Sequence, residues 1–210
     1  MIPGKATPEG TAAFARRHPD LDPGHWRSAL GLTVSSLGLG TYLGNADPVT
    51  DQKYAASVRR ALELGVNVLD SAINYRYERS ERSIGAALRD AIASGCVSRE
   101  EVLVCTKGGF ITGDLGPVTY EWFEAEILRP GLAGFEDVIA DCHCMAPGFL
   151  RHELERSRRN LGLETIDVYY VHNPETQLPE VGEDEYYRRL TAAFAALEEA
   201  AGQGKIQFYG

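Results

Sequence analysis

Apolar residues along this chain follow two alternating rhythms. Short, nearly continuous runs alternate with longer stretches in which apolar residues recur every three to four positions. The runs are a piece near Leu37 to Thr41, Val66 to Leu69, "EVLVCTK", "IDVYYVH" and "KIQFYG". Between them the 3.6-residue period predicts four helices. The first is capped by Thr50 or Asp51, carries Tyr54, Val58, Ala61 and Leu62 on one face, and stops at Gly65. The second is capped by Ser80, with Ile84, Leu88, Ala91 and Ile92 as its stripe, and ends at Gly95. The third runs near Pro147 to Leu161 and stops at Gly162; the fourth runs near Asp184 to Ala201 and ends at Gly202. Apolar strands alternating with amphipathic helices predict a parallel sheet covered by helices, with five strands and four helices.

Two stretches depart from the alternation. Residues 1–25, rich in Pro, Gly, His and Arg, predict an extended or weakly ordered leader, and "WRSALGLTVSS" after it reads as a small hairpin opening the body at 26–210. The connection 108–146 is about 40 residues long, where βα loops usually take ~2–6. It reads equally well as a lid or substrate wall and as a structural excursion.

Composition narrows the function classes. At 210 residues and 44% hydrophobic, the chain can bury one sizeable core. Its 21 basic against 30 acidic residues give −9, which opposes attraction to nucleic acid or anionic membrane. No apolar stretch reads as a signal peptide or membrane span, so a cytoplasmic location is expected. The four cysteines, Cys96, Cys105, Cys142 and Cys144, do not make a disulfide framework and are expected to be free thiols.

The chemistry is expected where the strands end. Asp70 closes the second strand, Lys107 the third and His172 the fourth. In a parallel sheet these ends share one edge, with neighbouring strands ~4.8 Å apart, so Lys107 is the expected cation for Asp70. A carboxylate at the end of an apolar run is costly without one. The loop after the second strand can fold Tyr75 over that edge. An ammonium beside a phenol favours the phenolate, lowering a pKa of about 10 and making a better proton donor. Neutral His172 would bond the oxygen receiving the proton. Since no side chain supplies hydride, a nicotinamide is implied.

These segments together resemble the aldo/keto reductase family. "SSLGLGTYLG" is similar to its first strand, "NVLDSAINYRYERSE" to its Asp and Tyr segment, "VLVCTKGG" to its Lys strand and "LGLETIDVYYVHNPE" to its His strand. The resemblance runs in order over roughly Trp26 to Gly210. It implies a (β/α)8 TIM-type barrel and NADPH-dependent reduction of small-molecule aldehydes or ketones. The implied tetrad is Asp70, Tyr75, Lys107 and His172, with Gly40, Thr41, Tyr42 and Asp70 along the cofactor. Family members often have Gly where Arg76 stands, so Arg76 is expected to place a charge at the pocket mouth. The sequence stops inside the counterpart of the fifth strand. An incomplete barrel is therefore expected, needing a C-terminal half for closure and for the phosphate site of the last βα loops. The competing expectation is a binding or regulatory module on the same scaffold that does not turn over.

Blander readings stand beside these. Asp70 alone reads as a capping carboxylate, Lys107 alone as a solvated strand end, and Tyr77 rivals Tyr75. The glycines 38, 40 and 44 are spaced one residue too long for a dinucleotide fingerprint. "DCHC", residues 141–144, sets two thiols and an imidazole close together, but no second Cys/His pair lies at finger spacing, so zinc is not expected. Cys105 is either a wall residue or a core thiol.

Overall fold

The structure, a computed structural model, describes residues 1–210. The first departure from expectation is at the N-terminus, where residues 8–16 are not a loose leader but helix α1 (Pro8–Arg16). The reason is local chemistry joined to a distant dock. Thr7 accepts a bond from Gly10 N at 3.0 Å, Pro8 sits at the helix start, and Phe14 and Thr11 are buried. Phe14 packs edge-on against Trp26, with centroids 6.0 Å apart. Upstream, Ala6 N donates to Asp167 Oδ1 at 2.7 Å and Thr7 N to Glu100 O at 3.0 Å, fastening the segment to the sheet.

Strands β1 (Trp26–Ala29) and β2 (Leu32–Ser35) form the expected antiparallel hairpin. Its turn residues Leu30 and Gly31 both have positive φ, 54° and 76°, the geometry that matches strand twist in a two-residue turn. The hairpin covers one face of the main sheet, burying Leu32 and Val34 against Leu103, Cys105 and Val168.

The main sheet is parallel, in the order β3 (Leu39–Gly40), β4 (Val68–Asp70), β5 (Leu103–Gly108), β6 (Ile166–Val171), β7 (Ile206–Tyr209). Its other face meets α2 (Pro48–Glu63), α3 (Arg79–Ala93), α5 (Pro147–Leu161) and α7 (Glu183–Gly202) across the larger core, which includes Leu69, Leu88, Leu154, Tyr169 and Leu197. β3 and β7 are the two edges.

The sequence misplaces two helix starts. α2 opens at Pro48, because Asp47 rather than Thr50 or Asp51 is the cap, accepting from Thr50 N at 2.7 Å. α3 opens after Glu78, and Ser80 is buried inside its first turn, donating to Thr41 O at 2.7 Å.

The connection 108–146 is compact. It contains α4 (Tyr120–Phe123), which runs into a π-helical turn (Glu124–Leu128), and antiparallel bridges from His143 to Phe110 and Ile139. Phe123, Ile127, Ala133 and Cys144 make a small core with Phe149 of α5. A short α6 (Leu178–Val181) precedes α7. No helix is long and apolar enough to cross a membrane.

Candidate active site

Asp70 ends β4, in register with Gly40 on β3 and Cys105 on β5. Lys107 is therefore two residues deeper along β5 than Asp70, not level with it as its strand-end position suggests, and β5 itself continues to Gly108. Residues two apart in a strand share a face, and a flexible four-carbon stem spans the offset. Lys107 Nζ donates to Asp70 Oδ2 at 2.7 Å and to Ser71 O at 2.6 Å. It also lies 3.4 Å from Tyr75 Oη. One ammonium thus touches a carboxylate, a carbonyl and a phenol. Tyr77 is exposed and takes no part in these contacts.

Tyr75 is half-buried, with Tyr42 edge-on at 5.0 Å and His172 edge-on at 5.7 Å. His172 is carried one residue past β6, where its N–H donates to Gly108 O at 2.7 Å. Its Nδ1 is buried without a hydrogen-bond partner. Burial first, then the Lys107 charge, pushes the imidazole down to about 4, so the ring is neutral at physiological pH. The unfolded chain therefore binds the extra proton between about pH 6.5 and 4. An NMR titration of the His172 ring protons is expected to show a midpoint near 4, and folding stability to fall as pH drops through that window. A midpoint near 6.5 would contradict this environment.

The sequence marked His143 only as the imidazole of "DCHC" and gave no sign of its link to His172, behind which it is fully buried. Its Nδ1 lies 3.1 Å from the Gln177 amide nitrogen, which donates to it, so its Nε2–H donates to the His172 carbonyl at 2.7 Å. Phe110 stands edge-on to both imidazoles, with centroids at 5.0 Å. The long connection thus supports the His172 backbone from behind. No local pattern announces this, because the two histidines are 29 residues apart.

Two sequence expectations, at Arg76 and Thr41, are corrected here. Arg76 does not charge the pocket mouth: its side chain is 2% exposed and turned toward α2. Thr41, expected beside a cofactor, is fully buried. Its hydroxyl donates to Asp70 O at 3.1 Å and lies 3.0 Å from the Ser71 hydroxyl, so it braces two strand ends. Cys105 is a core thiol, pushed up to about 12 mainly by burial. No group of three or more His, Cys, Asp or Glu side chains is placed to hold a metal ion, "DCHC" included. Tyr42 is 66% exposed, and nothing lies within 4 Å of where a Cβ on Gly40 would stand.

A model of the aldo/keto reductase family matches residues 36–210. The chain belongs to this family. Among curated members, the chain is 24% identical over 184 residues to an NADH-specific methylglyoxal reductase of Escherichia coli, covering 85% of this chain and 48% of that one. It is 29% identical over 161 residues to prostaglandin F synthase 1 of Bos taurus, covering 76% and 38%. Its fold matches an aldo-keto reductase from Bacillus halodurans in holo form, with TM-score 0.60 and 22% identity over 88% of this chain and 49% of the other. A Klebsiella pneumoniae aldo-keto reductase in complex with NADPH matches with TM-score 0.54 and 21% identity over 86% and 46%. The chain spans about half the length of the family members it matches, or less.

Proposed function

We propose that this aldo/keto reductase reduces aldehyde or ketone carbonyls of small molecules with NADPH, using Tyr75 as the general acid. The observation that carries the reading is the single Lys107 ammonium in contact with both Asp70 and the Tyr75 hydroxyl. Asp70 holds the ammonium in place. Lys107 stabilises the negative charge that develops on the Tyr75 oxygen as its proton moves to the substrate oxygen. Neutral His172 donates a hydrogen bond to that same oxygen and orients the carbonyl.

The residues present fit the ring end of a nicotinamide: the open face of Tyr42 and the uncrowded backbone at Gly40 adjoin the polar floor made by Asp70 and Lys107. When bound, the nicotinamide supplies hydride to the carbonyl carbon. Tyr42 and Gly40 would flank the ring, Asp70 would border it, and Thr41 would support them from behind. NADPH as the cofactor is supported by the NADPH-bound structural neighbour, while one curated member is NADH-specific.

We also propose that strands pairing with the open edges of β3 and β7 close a (β/α)8 barrel. Those edges also favour a second reading, a binding module that holds ligand without turnover. Protein in which those strands close the barrel is expected to consume NADPH, followed by absorbance, when small aldehydes are added. No consumption with either NADPH or NADH across aldehydes and ketones would overturn the reductase reading. NADPH fluorescence enhancement without consumption would support the module.

A further inference from the structure

The loop carrying Tyr75 has an unusual backbone. Arg76, Tyr77 and Glu78 lie consecutively in the left-handed region, with φ of 52°, 54° and 67°. Side-chain-bearing residues enter that region singly and at a cost, and three in succession persist only where the surroundings over-determine them. The middle residue, Tyr77, is exposed, so it does not hold the turn. The flanking two are buried and reach in different directions.

Arg76 reaches toward α2. Its Nε donates to Asn45 O at 2.8 Å, its Nη2 donates to Asp47 O at 3.3 Å, and the same group pairs with Asp51. The guanidinium also lies 5.0 Å from the Tyr54 ring centroid. Arg79, on the next turn, reaches the other Asp51 oxygen at 2.7 Å. Glu78 reaches toward α5, where it pairs with Arg156 and accepts from Asn160 Nδ2 at 3.1 Å, while Arg82 Nη2 of its own helix completes the carboxylate at 2.8 Å.

Resting on the reductase reading for its catalytic consequence, we infer that Arg76 and Glu78 are positioning residues for Tyr75. They act as two opposed buried anchors that pull a left-handed turn taut between α2 and α5 and so set the reach of the phenol to Lys107. The geometry explains why charged side chains stand where glycine would be unstrained. Glycine makes the turn conformationally cheap, but it offers nothing to tie the turn to either helix. The anchors exchange local strain for bonds to two rigid elements. Inside the loop, the Glu78 N–H bond to Ile73 O at 3.0 Å and the Tyr75 N–H bond to Ala72 O at 3.0 Å report whether the turn is closed.

The test uses the double variant Arg76→Gly with Glu78→Gly, which removes both anchors while relieving the backbone, and Asp51→Asn as a milder variant that weakens the ties to α2 made by Arg76 and Arg79 and leaves Glu78 in place. Hydrogen exchange is expected to speed up about tenfold or more at residues 73–80 in the double variant, and less in Asp51→Asn, with β5 and β6 unchanged. Carbonyl reduction is expected to lose on the order of 10- to 100-fold in kcat with KM within about twofold, the signature of a misplaced proton donor rather than lost binding. Unchanged exchange at 73–80, or a uniform rise across the chain, would overturn the inference, as would an intact kcat beside a mobile loop. Should the double variant not fold, Asp51→Asn alone decides on the same readouts. If the parent with its barrel closed reduces no carbonyl compound, the reductase reading fails, and the exchange measurement alone decides whether the anchors hold the turn.

Discussion

Tyr75→Phe is expected to lower kcat for carbonyl reduction by about 10²- to 10⁴-fold, the range a positioned proton donor contributes, while cofactor binding is retained. The substitution keeps the ring that packs edge-on against Tyr42 and His172 and deletes only the hydroxyl 3.4 Å from Lys107 Nζ. Lys107 keeps its two shorter bonds, to Asp70 and Ser71 O, so its placement survives. The measurement is steady-state turnover beside NADPH fluorescence titration. Activity within about fivefold of the parent would remove Tyr75 from its role and leave the Lys107 ammonium without a catalytic partner. Tyr77→Phe, at the exposed neighbour, is the control.

The largest expected effect on stability lies away from the site. Arg99→Met is expected to destabilise the fold by about 3–5 kcal/mol, the cost of leaving a buried charge without its partner. Arg99 Nη2 pairs with Asp167 Oδ2 at 2.7 Å, and its other bonds go to Val102 O at 2.7 Å and Thr165 O at 3.1 Å. Asp167 is fully buried on β6 and also accepts from Val104 N of β5 at 2.8 Å and from Ala6 N at 2.7 Å. Without the guanidinium that carboxylate keeps two backbone donors but loses its only countercharge. Thermal melts are expected to shift by on the order of 10 °C. The double variant with Asp167→Asn is expected to recover part of that loss, because the orphaned charge is gone. A single variant that melts within about 2 °C of the parent would show that the site tolerates or rehydrates the charge.

Much of the site is legible from residue order because strand ends are a local signal. Asp70, Lys107 and His172 each follow an apolar run, and parallel strands bring such ends to one edge. What that reasoning misjudged was depth: Lys107 lies two residues past the Asp70 register, and only its long stem restores the contact. Thr41 shows the opposite failure. Its place at the end of the first strand is as expected, but its hydroxyl is spent on Asp70 O and lies against Ser71, so adjacency to the site is not exposure to it. Helix starts slipped because several residues in each stretch were able to cap. Pro48 decided for Asp47, and the left-handed Glu78 decided against Ser80.

The sequence by itself determined the alternation of five strands with four covering helices, the hairpin before them, and the edge on which Asp70, Lys107 and His172 gather. Those features follow from periodicity and turn chemistry over windows of a few residues. Tertiary structure alone decided the ordered N-terminal helix, the inward turn of Arg76 and the support His143 gives His172. Each depends on a partner far away in the chain: α1 follows a segment tied to Asp167, Arg76 pairs with Asp51 and His143 with the His172 carbonyl. A buried polar side chain is placed by whichever distant group satisfies it, and that group is chosen only when the elements pack.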